Sequence, residues 1–427
     1  MNISKRDFLK ASGASLVALS VTSQAKESPK NPTPSSILKD ITGSVSGITL
    51  AERKARIAKA QKIMQHANIA ALVLEPGPSM DYFTGIQWWR SERVTAVIIP
   101  QSGEIAVVCP FFEEPSIRES LVIGDDVRVW QEHESPFKQV KQILKDRGLT
   151  KGNLAFEHSV RYFVLQGIMS EVSAMKDVSA EPITRGCRMI KSAHELQLMH
   201  KANEITLNAY AYVYSQLAVG MTGSDVKTLM HSAQSSLGGQ GIWNMALINE
   251  ASAFPHGTKQ KQSIKEGSIV LMDCGCSVYG YQSDISRTFV VGQPSKYQEK
   301  IWRTVRQGQE IAFETAKIGT PAGKVDDAVR QYYQTQGLGP DYKLPGLSHR
   351  TGHGIGMKGH ESVNFVHGEQ EKLQAGMCFS NEPGIYIPGS FGVRLEDCLY
   401  MTDKGPSWFT VPPDSLDSPI GQLAKLS

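Results

Sequence analysis

Apolar positions recur at two different periods in the first part of the chain, and the change of period separates helices from strands. Apolar residues at positions 57, 60, 63, 64 and 67 have helical spacing and predict a helix over residues 50–67. A second helix is predicted over residues 136–147. Short β-rich runs lie at residues 70–74, 93–100, 104–109, 127–130 and 154–157. Because these helices and strands alternate, residues 48–183 are predicted to form one α/β domain.

The second part of the chain carries a weak internal repeat. A capping box at Ser192 and Glu195 begins a long predicted helix that ends near residue 218. Gly220, and Gly319 99 residues later, lie in similar turns that each join two predicted helices. After each helix pair come a histidine segment and two strands that carry carboxylates. This order predicts two similar half-domains that face each other; chance matching of short glycine loops is the alternative.

Two of these carboxylates belong to the first half of the repeat. An apolar run over residues 268–273 predicts a strand that ends at Asp273, and Asp284 begins the next strand, over residues 284–291. A single Asp at a strand end is usually a cap or a turn residue. Two at the facing ends of a hairpin repel each other unless a cation lies between them.

The second half of the repeat supplies two more carboxylates. Glu382 ends an apolar run over residues 376–384. Arg394 and Glu396 fall on one face of a strand predicted at residues 392–399, because side chains alternate along a strand. Charged side chains in strands this apolar need partners.

Residues 349–360 hold three histidines and four glycines, a composition that a packed core does not require. One imidazole, at His353, together with the four carboxylates suits divalent metal ions with mixed nitrogen and oxygen ligands. The set has more ligand atoms than one ion needs, which favours two ions about 3.5–4 Å apart. Carboxylate-rich ligation favours Mn²⁺, and the histidine leaves Zn²⁺, Co²⁺ and Fe²⁺ open.

Together these segments resemble the pita-bread metallopeptidases of family M24, which include methionine aminopeptidase, aminopeptidase P and prolidase. The matching sequence motifs are His-Gly-Ile-Gly at 353–356, Asn-Glu-Pro-Gly-Ile-Tyr at 381–386 and Val-Arg-Leu-Glu-Asp at 393–397. The resemblance spans about residues 48–410. It implies an α/β creatinase-like N-terminal domain with a ribonuclease H-like sheet. An α+β pita-bread catalytic domain with an internal pseudo-twofold repeat is implied to follow.

The resemblance also implies roles for individual residues. Five residues are implied to be metal ligands: Asp273, Asp284, His353, Glu382 and Glu396. Of these, Asp284 and Glu396 are implied to bridge the two ions, while Asp273 binds one ion and the other two residues bind the second. A hydroxide between the ions then attacks the peptide carbonyl, and Glu382 carries its proton toward the leaving amine.

Four further residues are implied to act on the substrate side. His256 and His360 match histidines that polarise the carbonyl oxygen and hold the substrate. His349 matches one that lines the proline pocket, and Arg394 matches one that orients ligands and a proton relay. The remaining histidines are predicted to have structural or surface positions: His66, His133, His158, His194, His200, His231 and His367.

We therefore expect metal-dependent hydrolysis of the peptide bond that precedes proline, in a small peptide with proline at its second position. Two rivals are another amidohydrolase or lyase on the same scaffold, such as an ectoine hydrolase-like enzyme, and a non-enzymatic binding protein. An Xaa-Pro dipeptidase and an aminopeptidase P both stay open. Residues 366–372 offer His367 and Lys372, but no arginine, to hold the carboxylate of a dipeptide. The resemblance also implies a homodimer or homotetramer.

The composition narrows the possible partners. The chain has 427 residues with a formal charge of +3, so nothing indicates nucleic acid as a partner. No apolar run reaches the roughly 20 residues that cross a bilayer, so no membrane partner is expected either. The six cysteines do not have the spacing of a disulfide framework, and most are predicted to be small buried hydrophobic residues.

The N-terminus resembles an export signal. A basic segment, a mildly apolar segment and small residues at Ser23 and Ala25 follow one another. Lys5 and Arg6 stand where a twin-arginine signal has two arginines, which predicts export to the periplasm; a frayed amphipathic N-terminus is the alternative. The predicted segments are a signal peptide at 1–25, a linker at 26–47, the N-terminal domain at 48–183, the catalytic domain at 184–412 and a C-terminal tail at 413–427.

Overall fold

The computed structural model describes residues 34–426. The predicted signal peptide and the first part of the predicted linker lie outside these residues. The described part of the linker contains helix α1 (Pro34–Ile37) and a 3₁₀ turn at Thr42–Ser44. Leu38 and Ile41 in this segment are partly buried against the main hydrophobic core. This part of the predicted linker therefore packs against the protein along its length.

A six-stranded mixed sheet with helices on its faces forms the N-terminal domain. Its elements are α2 (Leu50–His66), β1 (Ile69–Leu74), α3 (Pro78–Thr84), β2 (Ala96–Pro100), β3 (Ala106–Pro110), α4 (Glu114–Ser120), β4 (Asp126–Trp130), α5 (Pro136–Asp146), β5 (Gly152–Phe156), α6 (Tyr162–Glu171), β6 (Met175–Ser179) and α7 (Glu181–Arg188). The strand order is β4-β3-β2-β1-β5-β6, and β1 pairs antiparallel with β2 and parallel with β5. The predicted α/β class of this domain is confirmed.

The catalytic domain combines paired helices with two curved sheets. Its elements are α8 (Ala193–Gln216), α9 (Gly223–Ser236), β7 (Gln240–Ile248), β8 (Ser268–Val278), β9 (Tyr281–Gln282), β10 (Ile285–Val291), α10 (Lys296–Thr315), α11 (Gly323–Thr335), β11 (Gly352–Gly354), β12 (Glu361–Phe365), β13 (Cys378–Asn381), β14 (Gly384–Ile387), β15 (Phe391–Arg394), β16 (Asp397–Thr402), β17 (Gly405–Trp408), β18 (Thr410–Val411) and β19 (Gln422–Leu423). One sheet has the order β10-β8-β7, with β9 beside β8, and the other has the order β12-β11-β13-β16-β17. Strand β19 lies in the predicted C-terminal tail and pairs with β18.

The predicted internal repeat is visible in the hydrogen bonds of the two helix-joining turns. Gly220 donates its N–H to the carbonyl of Ile264, and Gly319 donates to the carbonyl of Leu373, each at 2.8 Å. Ile264 precedes β8 and Leu373 precedes β13, the two strands that lead to acidic residues. Each half of the domain therefore ties its helix pair to its acidic strand in the same way.

The predicted end of the first acidic strand in this domain is wrong. The sequence places a strand end at Asp273, but β8 continues to Val278 and turns at Tyr279 and Gly280, which both have positive φ. A Cβ atom at Gly275 would lie 2.2 Å from the carbonyl oxygen of Ser283. This glycine therefore lets two chain segments approach closely inside a strand instead of forming a turn.

Buried polar contacts hold the N-terminal domain against the catalytic domain. Arg56 of α2 donates to the Tyr281 hydroxyl at 2.7 Å and lies 3.1 Å from a carboxylate oxygen of Glu195. Arg188, at the end of α7, forms a buried ion pair with Glu361 of β12. The predicted boundary at residues 183 and 184 falls inside α7, which packs against α2 of the N-terminal domain.

The cysteines and the helices bear on two further predictions. All six cysteines are buried and unpaired, which agrees with their prediction as buried hydrophobic residues. Over residues 34–426, no helix combines the length and the apolar character that crossing a membrane requires.

Candidate metal centre

Asp273, Asp284, Glu382 and Glu396 come together where the two sheets of the catalytic domain meet. Asp273 of β8 lies opposite Ser286 of β10, and Asp284 immediately precedes β10. Ser286 also pairs with Glu396, whose N–H donates to the Ser286 carbonyl at 3.1 Å. Glu382 follows β13 and donates its N–H to the Thr351 carbonyl at 2.8 Å. Both halves of the repeat thus contribute two carboxylates to one centre.

His353 supplies the imidazole of this centre. Its Nε2 atom lies 3.3 Å from Oε1 of Glu382 and 3.6 Å from Oδ2 of Asp284. Its Nδ1 atom lies 3.1 Å from the Gly354 carbonyl, which orients the ring so that Nδ1–H donates and Nε2 presents a lone pair. A Cβ atom at Gly352 would lie 2.2 Å from the Ser380 carbonyl oxygen. The glycine before His353 is therefore required for the close approach of β11 to β13.

The ligand atoms are close enough to share metal ions. Three groups each place one ligand atom per residue within 4.8 Å of the others: Asp273 with Asp284 and Glu396, His353 with Glu382 and Glu396, and Asp284 with His353 and His360. Asp284, Glu396 and His353 each belong to two of the three groups. His360, predicted on the substrate side, is also within reach of this cluster.

The raised pKa values of the buried carboxylates indicate a site for cations. Burial raises the pKa of Asp284 and of Glu396 well above the usual range, and neighbouring carboxylates raise both further. Burial likewise raises the pKa of Glu382 to about 7, with Arg394 opposing and the charge of Asp273 adding to the shift. Oδ1 of Asp284 and Oε1 of Glu396 are buried without a hydrogen-bond partner among the described residues. Divalent cations would satisfy these oxygens and the charge together, so the residues fit the metal centre that the resemblance implies.

Arg394 and Ser286 form a hydrogen-bonded brace that holds the carboxylates of the centre in place. The Nη2 atom of Arg394 donates to Oδ2 of Asp273 at 2.6 Å, and its Nε atom donates to Oγ of Ser286 at 2.9 Å. The Ser286 hydroxyl also lies 2.9 Å from Oδ1 of Asp273 and 2.7 Å from Oε2 of Glu396. Arg394 and Glu396 therefore reach the same serine, as their predicted common strand face requires. The predicted single strand is instead broken: β15 ends at Arg394 and β16 begins at Asp397.

A hydrogen-bonded chain extends from this brace to His349. The Tyr386 hydroxyl accepts from Nη1 of Arg394 at 3.1 Å and lies 2.7 Å from Nε2 of His349. Nδ1 of His349 lies 2.7 Å from the Arg350 carbonyl, so Nδ1–H donates and Nε2 accepts the tyrosine proton. Burial lowers the pKa of His349 to about 3, and the charge of Arg394 acts in the same direction. His349 is therefore a neutral ring in a fixed orientation.

His256 and His360 lie on the open side of the centre. His360 is exposed, and its ring packs edge-on against that of His353 with the centroids 4.2 Å apart. His256 is also exposed, and the carbonyl of the preceding residue, Pro255, accepts from Nη1 of Arg394 at 3.2 Å. A cleft between the two domains opens beside His360, with Glu157 and Arg188 in its wall. Through His360 this cleft borders the centre.

Three residues near the centre have no role among the predictions made from the sequence. Ser286 has no motif of its own, and its position follows only from the pairing of β8 with β10. Tyr386 lies in the Asn-Glu-Pro-Gly-Ile-Tyr motif, which is the one sequence signal that could have identified it. Asp397, next to the predicted ligand Glu396, turns into the core and accepts from both Nη atoms of Arg287 at 3.1 and 2.7 Å.

Three of the histidines predicted to have structural or surface positions have partners away from the centre. Nδ1 of His194 lies 2.8 Å from Oε1 of Glu52, and Nε2 of His200 lies 2.7 Å from the Ala424 carbonyl. Nδ1 of the exposed His367 lies 2.6 Å from Oδ1 of Asp327. These side chains contact residues that belong to neither the ligand cluster nor its brace.

Two family models match the chain, one in each domain. Residues 56–190 match the Creatinase/Prolidase N-terminal domain, and residues 197–403 match Metallopeptidase family M24. The chain is 31% identical to the probable dipeptidase PepE of Mycobacterium tuberculosis, over 82% of this chain and 92% of that protein. It is 29% identical to an Xaa-Pro dipeptidase of Lactobacillus helveticus, over 82% of this chain and 95% of that one.

A solved structure agrees with these matches. The crystal structure of the dipeptidase PepE from Mycobacterium ulcerans is similar with a TM-score of 0.79 and 31% identity, over 87% of this chain and 98% of that chain. The similarity therefore extends over most of both chains. The chain belongs to metallopeptidase family M24.

Proposed function

We propose that this protein hydrolyses dipeptides of the form Xaa-Pro, releasing free proline. The observation that carries the proposal is the convergence of Asp273, Asp284, His353, Glu382 and Glu396 on one buried centre. The retention of all five ligands disfavours a non-enzymatic binding protein. The relatives named as dipeptidases favour a peptidase over another amidohydrolase or lyase on this scaffold.

Proline explains why the reaction needs a dedicated site. The bond to proline has no N–H to donate, and the ring fixes φ, so recognition by extended β-pairing fails. A shaped pocket beside the centre must hold the ring instead. The neutral ring of His349 and the Tyr386 hydroxyl form a rigid, uncharged wall there, because each fixes the orientation of the other. We assign this wall to the proline side of the scissile bond.

Two divalent cations complete the proposed centre. Asp284 and Glu396 would be shared between them, with Asp273 on one side and His353 and Glu382 on the other. When bound, such ions lower the pKa of a coordinated water toward about 7 and polarise the substrate carbonyl. We propose Mn²⁺ because four of the five ligands are carboxylates.

The chain's own residues would then orient the substrate and move the proton. Glu382, with its pKa raised to about 7, can accept a proton from water and give it to the leaving amine near neutral pH. Burial lowers the pKa of His360, and the charge of Arg350 adds to this effect, so that ring is neutral and can donate to the substrate carbonyl oxygen. The exposed His256, on the same open side of the centre, can hold the substrate.

Release of free proline tests the proposed function. Ala-Pro, Ala-Ala and Ala-Pro-Ala would be incubated with metal-free protein and with protein loaded with Mn²⁺, and amino acids would be quantified by chromatography. We expect Mn²⁺-dependent release of proline from Ala-Pro, with much slower cleavage of the other two peptides. Failure of the loaded protein to cleave either proline-containing peptide would contradict the peptidase assignment and favour another amidohydrolase.

We further propose that the protein is exported to the periplasm and assembles as a homodimer or homotetramer. The twin-arginine-like segment at residues 1–25 supports export, with Lys5 and Arg6 at the arginine pair. Cell fractionation of wild type and a Lys5→Gln, Arg6→Gln double variant tests the export, with loss of periplasmic protein in the variant as the expected result.

Light scattering after gel filtration tests the proposed assembly by measuring the oligomeric state, and a monomer would contradict it.

A further inference from the structure

A buried ion pair on helix α11 contacts residues 347–353, the segment that ends at the candidate ligand His353. Asp326 and Arg330 are four residues apart on this helix, so their side chains lie on the same face. Nε of Arg330 donates to Oδ2 of Asp326 at 2.7 Å, and both residues are buried. Neither residue is a candidate ligand or part of the brace beside the ligands.

Asp326 anchors Thr351, and Thr351 in turn holds Glu382. Oδ1 of Asp326 accepts from the N–H of Thr351 at 3.0 Å and from its hydroxyl at 2.7 Å. The carbonyl of the same threonine accepts from the N–H of Glu382 at 2.8 Å. The carboxylate on α11 is therefore connected, through a single residue, to the backbone of the residue that would carry the proton.

Arg330 fixes the same segment at His349. Its Nη1 atom donates to the carbonyls of Asp341 and Leu347 at 2.6 and 2.9 Å, and its Nη2 atom donates to the carbonyl of His349 at 2.5 Å. One guanidinium thus binds three backbone carbonyls, while Asp326 supplies its counter-charge. The imidazole assigned to the proline wall therefore extends from a backbone that this arginine holds.

The first half of the internal repeat packs its second helix without such a pair. The positions equivalent to Asp326 and Arg330 lie 99 residues earlier, at Lys227 and His231 of α9, and both are exposed. Burying two charges costs free energy that burying apolar side chains does not. A helix at this place in the fold therefore does not require a buried ion pair, and the contacts with residues 347–353 are what distinguish the second half.

We propose that Asp326 and Arg330 are positioning residues for the hydrolysis, because they hold residues 347–353 in the place that His349 and Glu382 require. This inference rests on the proposed function and adds two residues outside the metal centre to those on which the reaction depends. Both act through other residues, since their side chains bind the backbone and the hydroxyl of the segment. Groups that act in catalysis need such support to keep their geometry.

The first test compares Asp326→Asn with Asp327→Asn, a matched control at the adjacent acid of α11. Asparagine keeps the shape of Asp326 but places an amide NH₂ group where the carboxylate accepts hydrogen bonds. We expect kcat/KM of the Mn²⁺-loaded protein for Ala-Pro, and the affinity for Mn²⁺ measured by isothermal titration calorimetry, each to fall about tenfold or more. The carboxylate of Asp327 lies 2.6 Å from Nδ1 of His367 and 3.0 Å from Nζ of Lys324, so Asp327→Asn should change both quantities less than about twofold.

Thr351 supplies a second test, which does not depend on the folding of Asp326→Asn. Thr351→Val keeps the shape of the side chain but removes the hydroxyl that donates to Asp326, whereas Thr351→Ser keeps that hydroxyl. We expect kcat for Ala-Pro to fall about fivefold or more in Thr351→Val, with KM changed less than about twofold, because proton transfer by Glu382 belongs to the transition state. Thr351→Ser should restore kcat to within about twofold of wild type, because it restores the hydrogen bond.

All rates are measured well below the melting temperature of each variant, so that loss of folded protein does not contribute. A lower melting temperature with wild-type kcat and wild-type Mn²⁺ affinity in Asp326→Asn and Thr351→Val would overturn the inference, because the ion pair would then serve stability alone. Equal losses of kcat in Thr351→Val and Thr351→Ser would also overturn it. Absence of cleavage by wild type would instead refute the proposed function, while weaker Mn²⁺ binding by Asp326→Asn than by Asp327→Asn would still support the positioning role.

Discussion

Nη2 of Arg394 donates to Oδ2 of Asp273 at 2.6 Å, and the two residues come from opposite halves of the internal repeat. Both side chains are largely buried, and Ser286 lies between them and Glu396. Arg394 thus contributes a fixed positive charge to a cluster of four carboxylates while binding only one of them directly. The remaining charge and lone pairs are left for metal ions.

Replacing Arg394 should therefore weaken metal binding. Arg394→Lys keeps the charge but cannot donate to Asp273, Ser286 and Tyr386 together. We expect affinity for Mn²⁺ to fall roughly 10- to 100-fold, the usual effect of losing a group that orients a ligand. Isothermal titration calorimetry would measure the affinity. Arg303→Lys, at a residue with a 78% exposed side chain, is the control, and unchanged affinity in Arg394→Lys would refute the bracing role.

Tyr386 links this brace to His349, and removal of its hydroxyl should impair catalysis more than folding. Tyr386→Phe leaves the ring in place but removes the donor that fixes Nε2 of His349. We expect kcat/KM for Ala-Pro to fall about tenfold or more, with a melting temperature close to that of wild type. Tyr297→Phe, at a half-exposed tyrosine packed on Phe391, should change neither quantity. A wild-type rate in Tyr386→Phe would show that the hydrogen-bonded chain is not used.

The ligand set could be predicted from sequence because its signals are local. Asp273, Glu382 and Glu396 each interrupt an apolar run, and His353 lies among glycines that let strands approach closely. The supporting contacts could not be predicted, since they join distant segments. Tyr386 and His349 are 37 residues apart, and Ser286 and Glu396 are 110 apart.

The ends of a strand could be predicted only where an apolar run begins or stops in the sequence. The half-exposed edge strand β6 (Met175–Ser179) lacks an apolar run and was not predicted, whereas the buried strand β1 was predicted almost to its ends. The extension of β8 beyond Asp273 depends on the contact between Gly275 and Ser283, which no local pattern encodes.

Glu396 and Asp397 are adjacent buried acids, but Glu396 faces the other carboxylates whereas Asp397 pairs with Arg287. We therefore expect Asp397 to contribute to stability. The carboxylate of Asp397 and the guanidinium of Arg287 are fully buried and form two hydrogen bonds, and Gln309 and Thr410 also donate to Asp397. Arg287→Met would leave the buried carboxylate without its counter-charge, which typically costs about 3–5 kcal/mol.

Thermal unfolding of the metal-free protein would measure this effect. The Arg287→Met, Asp397→Leu double variant removes both charges and should recover much of the lost stability. If Arg287→Met melts at the wild-type temperature, the ion pair has no structural importance.

The pair of Arg188 with Glu361 predicts a pH dependence for the domain interface. Burial alone would raise the pKa of Glu361, but the charges of Lys191 and Arg188 outweigh it and lower the pKa to about 2. The folded-state pKa is thus below the ordinary value of 4.5, so the stabilisation is fully present above pH 4.5 and is lost as the pH falls toward 2.

Glu361→Gln should remove this contribution. Its melting temperature should be below that of wild type at pH 7, and the difference should shrink as the pH falls below 4.5. Melting curves between pH 7 and pH 3 would test this, with Glu299→Gln as an exposed control. A difference that stays constant across this range would contradict the assigned linkage.

The most direct test of the two-metal centre is proline release from Ala-Pro by Asp284→Ala in the presence of Mn²⁺, measured beside wild type. Asp284 belongs to two of the three ligand groups, and one of its oxygens has no other partner among residues 34–426. Wild type and the exposed-site control Asp403→Ala are expected to release proline, whereas Asp284→Ala is expected to release none above the metal-free background. Full activity in a folded Asp284→Ala variant would contradict the two-metal centre.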